Sequence, residues 1–340
     1  MSNIPILDTL NKITKSPPPI WFMRQAGRYL PEYKEIRQLA GGFIELCLNP
    51  QMACEVTIQP IKRFNLNAAI VFSDILLITL ALGYKLKFIE GKGPIISPVE
   101  NEKNIPLFNE DKFHNRIKNV YETISRIKEI LPKEIAIIGF AGSPWTVAAY
   151  MLEGGSSRDY TKIKIWAFKR TKSFQILIDL LIDATIEYLN KQILAGAQII
   201  QLFDSWAGIA PESIFKQWII EPTKKIVQQI KNLHPSIKII GFARGAGAMI
   251  EDYASCTGID AVGLDSNIPL RTAYKLQNTI PIQGNLDPIA LLVGGNALKK
   301  ETNRIIQSLS SGPLIFNLGH GVLPQTPINN VIELIKQIRS

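Results

Sequence analysis

Pro19-Ile20-Trp21-Phe22-Met23-Arg24-Gln25-Ala26-Gly27-Arg28-Tyr29 decides between two architectures. Its apolar run, Ile20–Met23, has the length and composition of a strand, and it breaks at once into two arginines around a glycine. An open, doubly wound sheet would carry a glycine fingerprint after its first strand, and Met23-Arg24-Gln25-Ala26-Gly27 is not one. Further apolar or β-branched runs follow at Ala69–Phe72, Ile135–Phe140, Gln198–Phe203, Ile237–Phe242, Ala261–Leu264, Pro281–Gly284 and Leu314–Leu318. Helical periodicity fills the gaps. Phe113, Ile117, Val120, Ile124 and Ile127 recur at three and four, as do Ile328, Val331, Ile332, Ile335 and Ile338. Strand-like runs alternating with helices over 340 residues predict an α/β chain folded as a single (β/α)8 TIM barrel. Its active-site cleft then lies at the C-terminal ends of the strands. The domain is expected to span residues 1–340, with residues 1–16 as an N-terminal arm set off by Pro17-Pro18-Pro19.

One stretch departs from the alternation. Tyr84-Lys85-Leu86-Lys87-Phe88 alternates with period two, turns at Gly91-Lys92-Gly93 and resumes at Pro94-Ile95-Ile96. That predicts a hairpin inserted after the second strand and folded over one rim of the barrel.

Composition narrows the function classes. With 46% hydrophobic and 20% charged residues the chain reads as globular. No run reaches the length of a transmembrane helix, and the Ile70–Leu82 stretch is interrupted by Ser73 and Asp74, so no membrane partner is expected. The N-terminus has neither a signal-peptide core nor an Arg-rich character, which makes a cytoplasmic location the expectation. Cys47, Cys54 and Cys256 form no CxxC pair and read as reduced, half-buried thiols. The net charge of +9 is scattered through helix-like segments, a solvated basic surface that points away from nucleic acid and permits an acidic small substrate. His114, His234 and His320 stand far apart with no HxH or HExxH spacing, so no metal site is expected.

Two planar guanidinium forks, Arg24 and Arg28, on a glycine-hinged turn suit a ligand carrying carboxylates or phosphates. They could also pair with the local acids Glu32 and Glu35 or cap helix carbonyls. At the other strand ends stand Ser73-Asp74, Gly142-Ser143-Pro144-Trp145, Asp204-Ser205-Trp206, Arg244-Gly245, Asp265, Asn285–Asp287 and Gly319-His320-Gly321. In a barrel these would meet in one mouth. Asp74, Asp204 and Asp265 could equally be helix N-caps. Ser143 before Pro144 reads as ordinary N-cap and N1 chemistry. Tyr150 could pack in the core. His320 between two glycines favours a pocket role, the glycines giving it an unusual backbone and no bulky neighbours.

Taken together, Arg24-Gln25-Ala26-Gly27-Arg28-Tyr29-Leu30-Pro31, Glu55–Pro60, Phe72-Ser73-Asp74-Ile75-Leu76, Gly139–Thr146, Tyr150 with Glu153-Gly154-Gly155, Phe203–Gly208 and Asn317–Gly321 resemble the uroporphyrinogen decarboxylase family. They occur in the family's order and cover nearly the whole chain. The departures are Asn11–Lys15 in place of a Leu-Arg-Gly-Glu-like lead, Lys34 where arginine is common, and Arg244 where lysine is usual. The resemblance implies decarboxylation of the four acetate side chains of uroporphyrinogen III to methyls, giving coproporphyrinogen III and carbon dioxide in porphyrin and heme biosynthesis. It implies no metal or organic cofactor and a homodimer whose clefts face each other. It assigns Asp74 and Arg24 as catalytic residues. It places Arg24, Gln25, Ala26, Gly27, Arg28, Asp74, Tyr150, Ser205 and His320 on the substrate. The proton donor stays open among Arg24, water, His320 and a substrate carboxyl, since a guanidinium is a poor acid. Zinc-dependent methyltransferases of the same superfamily need a His-x-Cys pair, and no cysteine here lies two residues from a histidine.

Overall fold

The computed structural model describes residues 4–340; the first three residues of the expected arm lie outside it. Seven parallel strands curl side by side: β1 (Ala68–Ile70), β4 (Ala136–Gly142), β5 (Ile199–Asp204), β6 (Lys238–Ala243), β7 (Ala261–Gly263), β8 (Ile282–Leu286) and β9 (Leu314–Leu318). Pro19–Met23 fills the gap between β9 and β1. Phe316 donates its N–H to the Pro19 carbonyl (2.8 Å), and Trp21 donates to that of Phe316 (3.4 Å). On the other side Asn67 donates to the Ile20 carbonyl (2.9 Å). The ring is thus closed, but the expected first strand is only a bridge at Ile20. Side chains replace its ladder: the Ile20 N–H goes to Asn67 Oδ1 (2.8 Å) and the Met23 N–H to Asn317 Oδ1 (3.1 Å). The segment leaves the sheet early because its next residues must form the arginine turn.

The helices that the periodicity predicts wrap the ring. Glu110–Ile130 starts on Asn109, whose side chain accepts the Lys112 N–H, and it buries Phe113, Ile117, Val120, Ile124 and Ile127. Ile328–Arg339 buries Val331, Ile335 and Ile338. The floor differs from expectation. Within the arm, Pro5–Leu10 is a helix, and Ile4, Ile6 and Leu10 join one buried cluster with Trp21, Met23, Ala136, Ile199 and Ile315 from the barrel interior. Proline at its start presets the helical φ, and the apolar face is what water rejects. The described part of the arm is therefore a plug. Of the three free thiols, Cys47 and Cys54 are buried and Cys256 is exposed, a correction to the half-buried expectation.

The inserted hairpin is present as β2 (Leu86–Ile89) and β3 (Gly93–Ile96), paired antiparallel. It is fastened to the end of the helix Pro144–Glu153, which carries Tyr150: Ile96 donates its N–H to the Gly154 carbonyl (3.0 Å) and Val99 to that of Met151 (2.9 Å). Gly155 permits the contact, with φ at 155° and no room for a side chain. A Cβ there would lie 2.7 Å from the Pro94 carbonyl oxygen. Gly91, in the hairpin turn, also has positive φ, but a Cβ there would meet nothing within 4 Å. Gly155→Ala is therefore expected to lower thermal stability more than Gly91→Ala, by roughly 1–3 kcal/mol against about 1 kcal/mol or less. Equal shifts in paired melting curves would show that the hairpin does not depend on this contact.

Candidate active site

The strand ends do converge on one rim. Arg24, at the centre of it, acts electrostatically on Asp74, Tyr150, Arg28 and Arg244, and also on His320. Its side chain keeps contact with solvent although protein surrounds most of it, and burial lowers its pKa.

The arginine turn is built differently from what its glycine suggests. Arg24 itself takes the left-handed conformation (φ 60°), and Gly27 does not. Gly27 is needed for closeness, since a Cβ there would come within 3.1 Å of the Arg24 carbonyl oxygen. Gln25 clamps the turn to the barrel. It is fully buried, its Oε1 accepts the Phe22 N–H (3.1 Å), and its Nε2 donates to the Ala68 carbonyl (3.0 Å). The Tyr29 hydroxyl donates to the Gln25 carbonyl (2.8 Å). What the Gln25 side chain offers a ligand is thus placement of its neighbours. Among the described residues the N–H groups of Ala26, Gly27 and Arg28 meet no acceptor, and Arg24 and Arg28 make no contact ion pair.

The glycines around His320 also serve close approach, with neither in the positive-φ region. A Cβ on Gly321 would fall 2.3 Å from Arg24 Cδ, and one on Gly319 the same distance from the Ser266 nitrogen. The Arg24 stem passes over one glycine, and the loop after β7 rests on the other. Burial, then the charges of Arg24 and Arg244, push the His320 imidazole down to about 3, so it is neutral in the free protein. Its Nδ1 is buried without a hydrogen-bond partner.

The three aspartates have three separate roles. Asp74 Oδ1 accepts the Leu76 N–H (2.8 Å), a local turn before the helix Leu77–Ala81, whose N-cap is Leu76. Burial pushes its carboxyl up to about 6, with the Leu76 bond and the Arg24 charge opposing the rise. Asp204 caps nothing. It is wholly buried, its Oδ1 accepts from the Thr146 hydroxyl, and that hydroxyl accepts the Trp206 N–H (3.0 Å). This ties the end of β5, with Ser205 in the turn, to the helix of Tyr150. Burial raises the Asp204 carboxyl to about 7. Asp265 accepts the N–H groups of Gly245 (2.6 Å) and Asn267 (2.8 Å), fixing the turn after β6. Ser143 is the N-cap residue before Pro144, but its hydroxyl makes no capping bond and is buried without a partner.

Tyr150 is half-buried, its ring 6.0 Å from that of Trp206, and burial together with the Asp74 charge raises its pKa. Ser205 is half-buried in the neighbouring turn. Sequence reading missed Tyr160, whose ring packs tilted against Trp206 at 4.5 Å between centroids and which interacts electrostatically with Tyr150 and Arg244. Its left-handed backbone (φ 49°) leaves no trace in residue type. Among the described residues, the one group of His, Cys, Asp and Glu close enough to share a metal is Glu110, His114 and Glu187, on the outer helices Glu110–Ile130 and Thr171–Ala195.

A family model described as uroporphyrinogen decarboxylase matches residues 1–340. A uroporphyrinogen decarboxylase of Chelativorans sp. (strain BNC1) is 48% identical over 339 residues, covering 100% of this chain and 99% of that protein. That of Rhodospirillum rubrum is 46% identical over 337 residues, covering 99% and 97%. Among solved structures, a methyltransferase from Methanosarcina mazei superposes with a TM-score of 0.80 at 20% identity, covering 98% of this chain and 96% of that one. A B12-independent methionine synthase from Shewanella sp. W3-18-1 gives 0.53 at 10% identity, covering 85% of each chain. At those identities the structures speak for the barrel fold alone. The full-length model match and the full-length relatives establish that the chain belongs to the uroporphyrinogen decarboxylase family.

Proposed function

We propose that this chain, a decarboxylase by its family, removes carbon dioxide from the acetate side chains of uroporphyrinogen through a pyrrole cation stabilised by Asp74. The observation that carries the mechanism is a half-buried carboxylate beside Arg24 in a mouth that also gathers Arg28 and Arg244. Loss of carbon dioxide from an acetate leaves an electron pair on a methylene. Protonation of the adjacent pyrrole carbon first turns the ring into a cation that accepts that pair. Protonation at the methylene then gives the methyl, and loss of the proton first added to the ring carbon restores the pyrrole, so one proton in all replaces the carbon dioxide. A fixed anion near the pyrrole N–H groups stabilises the cation, and it does so without reorganising at the moment of reaction. Arg24 and Arg28 hold carboxylates with their forks, helped by the free N–H groups of Ala26, Gly27 and Arg28. Tyr150 and Ser205 offer hydroxyls to further carboxylates. His320, neutral in the free protein, offers a hydrogen bond and no imidazolium proton.

The same reading includes a cytoplasmic homodimer working without metal or organic cofactor and without nucleic acid. Two observations support it. Among the described residues no helix is long and apolar enough to cross a membrane. Ile89 and Ile95 on the hairpin, and Ile165 and Phe168 on the helix after the Gly154-Gly155 loop, leave apolar surface exposed for a second subunit to cover.

Asp74→Asn tests the charge. Turnover of enzymatically generated uroporphyrinogen, followed by chromatography of the oxidised products, should fall on the order of 10²-fold or more. Stability should move the other way. The folded pKa of about 6 lies above the unfolded value of roughly 3.9, so the folded chain binds the proton more tightly. Stability from this group is therefore present at low pH and lost as pH rises through about 6. At pH 7 the Asn variant should melt higher, and a lower melting temperature with normal turnover would return Asp74 to a purely capping role. The wild-type kcat/KM should fall below pH 6 as the carboxylate takes its proton.

The arginines divide the work. Arg28→Lys keeps the charge but loses the fork, so KM should rise with kcat little changed. Arg24→Lys should lower kcat more than it raises KM. Matching, binding-level effects in both variants would remove the distinction.

A further inference from the structure

Arg244 follows β6 and has its backbone fixed on three sides. Its N–H donates to the Asp204 carbonyl (3.0 Å), and its carbonyl accepts the Gly208 N–H (2.9 Å). The next N–H, of Gly245, goes to Asp265 Oδ2 (2.6 Å). Gly208 is required there, since a Cβ would lie 2.6 Å from the Gly245 carbonyl oxygen. So much fixation at the base of one side chain suits a group that must be presented accurately.

The guanidinium it presents has nothing to hold. Among the described residues it makes no hydrogen bond and no ion pair, although the residue is half-buried. Other arginines differ. Arg63, Arg126 and Arg304 pair with Glu32, Glu122 and Glu301. Arg116 and Arg170 donate to backbone carbonyls, and Arg37 lies over the Phe43 ring. Arg158 and Arg271 have no partner but are exposed to bulk water. Arg244 shares its lack of a partner with Arg24 and Arg28, and its charge bears on Arg24 and His320, where it disfavours more positive charge. The acids tied to the same turn do not answer it: Asp265 accepts backbone N–H groups on both oxygens, and Asp204 is buried against Thr146. A half-buried guanidinium without an acceptor, among like charges, is a cost to folding. An arriving anion removes that cost.

Ring order gives the placement. From Pro19–Met23 the strands run β1, β4, β5 and β6, so Arg24 and Arg244 are rooted on opposite sides of the eight-membered ring. We propose that Arg244 is a further carboxylate-binding residue, gripping an acidic arm of the tetrapyrrole on a pyrrole remote from the one at Arg24. This rests on the decarboxylase reading above. A macrocycle with carboxylates around its whole rim offers acidic arms to both sides of the ring of strands at once.

The test uses the full-length protein with oxidised uroporphyrin as a probe that binds without turning over, read by quenching of tryptophan fluorescence. Arg244→Gln should weaken uroporphyrin binding by about tenfold or more. In decarboxylation it should raise KM by a similar factor while kcat changes less than about threefold, and Arg244→Lys should recover part of the loss. Circular dichroism melting should show the Gln variant folded and no less stable, because the group removed has no partner. Arg244→Met repeats the test with a different neutral stem. Wild-type affinity and KM in both neutral variants would overturn the proposal while leaving the decarboxylase reading intact. A wild-type protein that releases no carbon dioxide from uroporphyrinogen would overturn both.

Discussion

Everything at the mouth depends on how the barrel closes. The closing segment is too short to be a ladder strand, because the same residues must turn and deliver two arginines. Asn67 and Asn317 supply side-chain acceptors where backbone carbonyls would otherwise pair, and the Gln25 amide then ties the turn back to Ala68. Closure of the ring and placement of the guanidinium groups are therefore one event. A change that frees Gln25 would loosen both, which is why a buried amide in the middle of a charged motif is part of the site without offering its own side chain to a ligand.

The electrostatics follow from the same crowding. Asp74 is held where burial disfavours its charge, and Arg24 and Arg244 are held where each disfavours the other. A fold selected for stability alone would pair or discard such groups. On the proposed mechanism these unfavourable charges surround the place where the polyanion sits and the cation forms. The strain in the Arg24 backbone belongs with them, since a left-handed arginine persists only where its surroundings over-determine it. The rigid interior makes this tolerable: plugged below by Pro5–Leu10 and cross-linked by Trp21, Gln283 and Gln201, it leaves the rim little freedom to relax.

Much of this was legible in the sequence, for identifiable reasons. The strand positions follow from apolar runs of fixed length, and β9 begins and ends where the run Leu314–Leu318 does. The hairpin follows from period-two alternation around a glycine turn. Residue chemistry at the strand ends located Arg24, Asp74 and His320, because a barrel brings those ends together whatever lies between. What could not be read is what depends on distance across the fold. Gly319 and Gly321 look like conformational glycines, yet both answer to close neighbours, Ser266 and Arg24. Gly27 looks like the hinge, yet the unusual φ belongs to Arg24. The N-terminal arm looks detached, because only the finished barrel has an open floor for Ile6 and Leu10 to fill. Asp204 and Asp74 look alike in sequence and part company through Thr146, a residue from another element.

The neutral state of His320 follows from its surroundings. Burial depresses its basicity first, and the two arginines add to that. Substrate carboxylates at Arg24 and at Arg244 would cancel part of the positive potential that His320 experiences, which opposes the depression of its basicity. Asp74 shifts in the same direction, since added negative charge nearby raises its pKa, while a pyrrole cation would lower it again. On the proposed mechanism the substrate's arms push both groups toward holding a proton, and the cationic intermediate withdraws that push from Asp74 when its charge is most useful. On the same reading, a site whose charges paired with one another could not respond in this way, which would give arginines without a partner among the described residues a purpose beyond affinity.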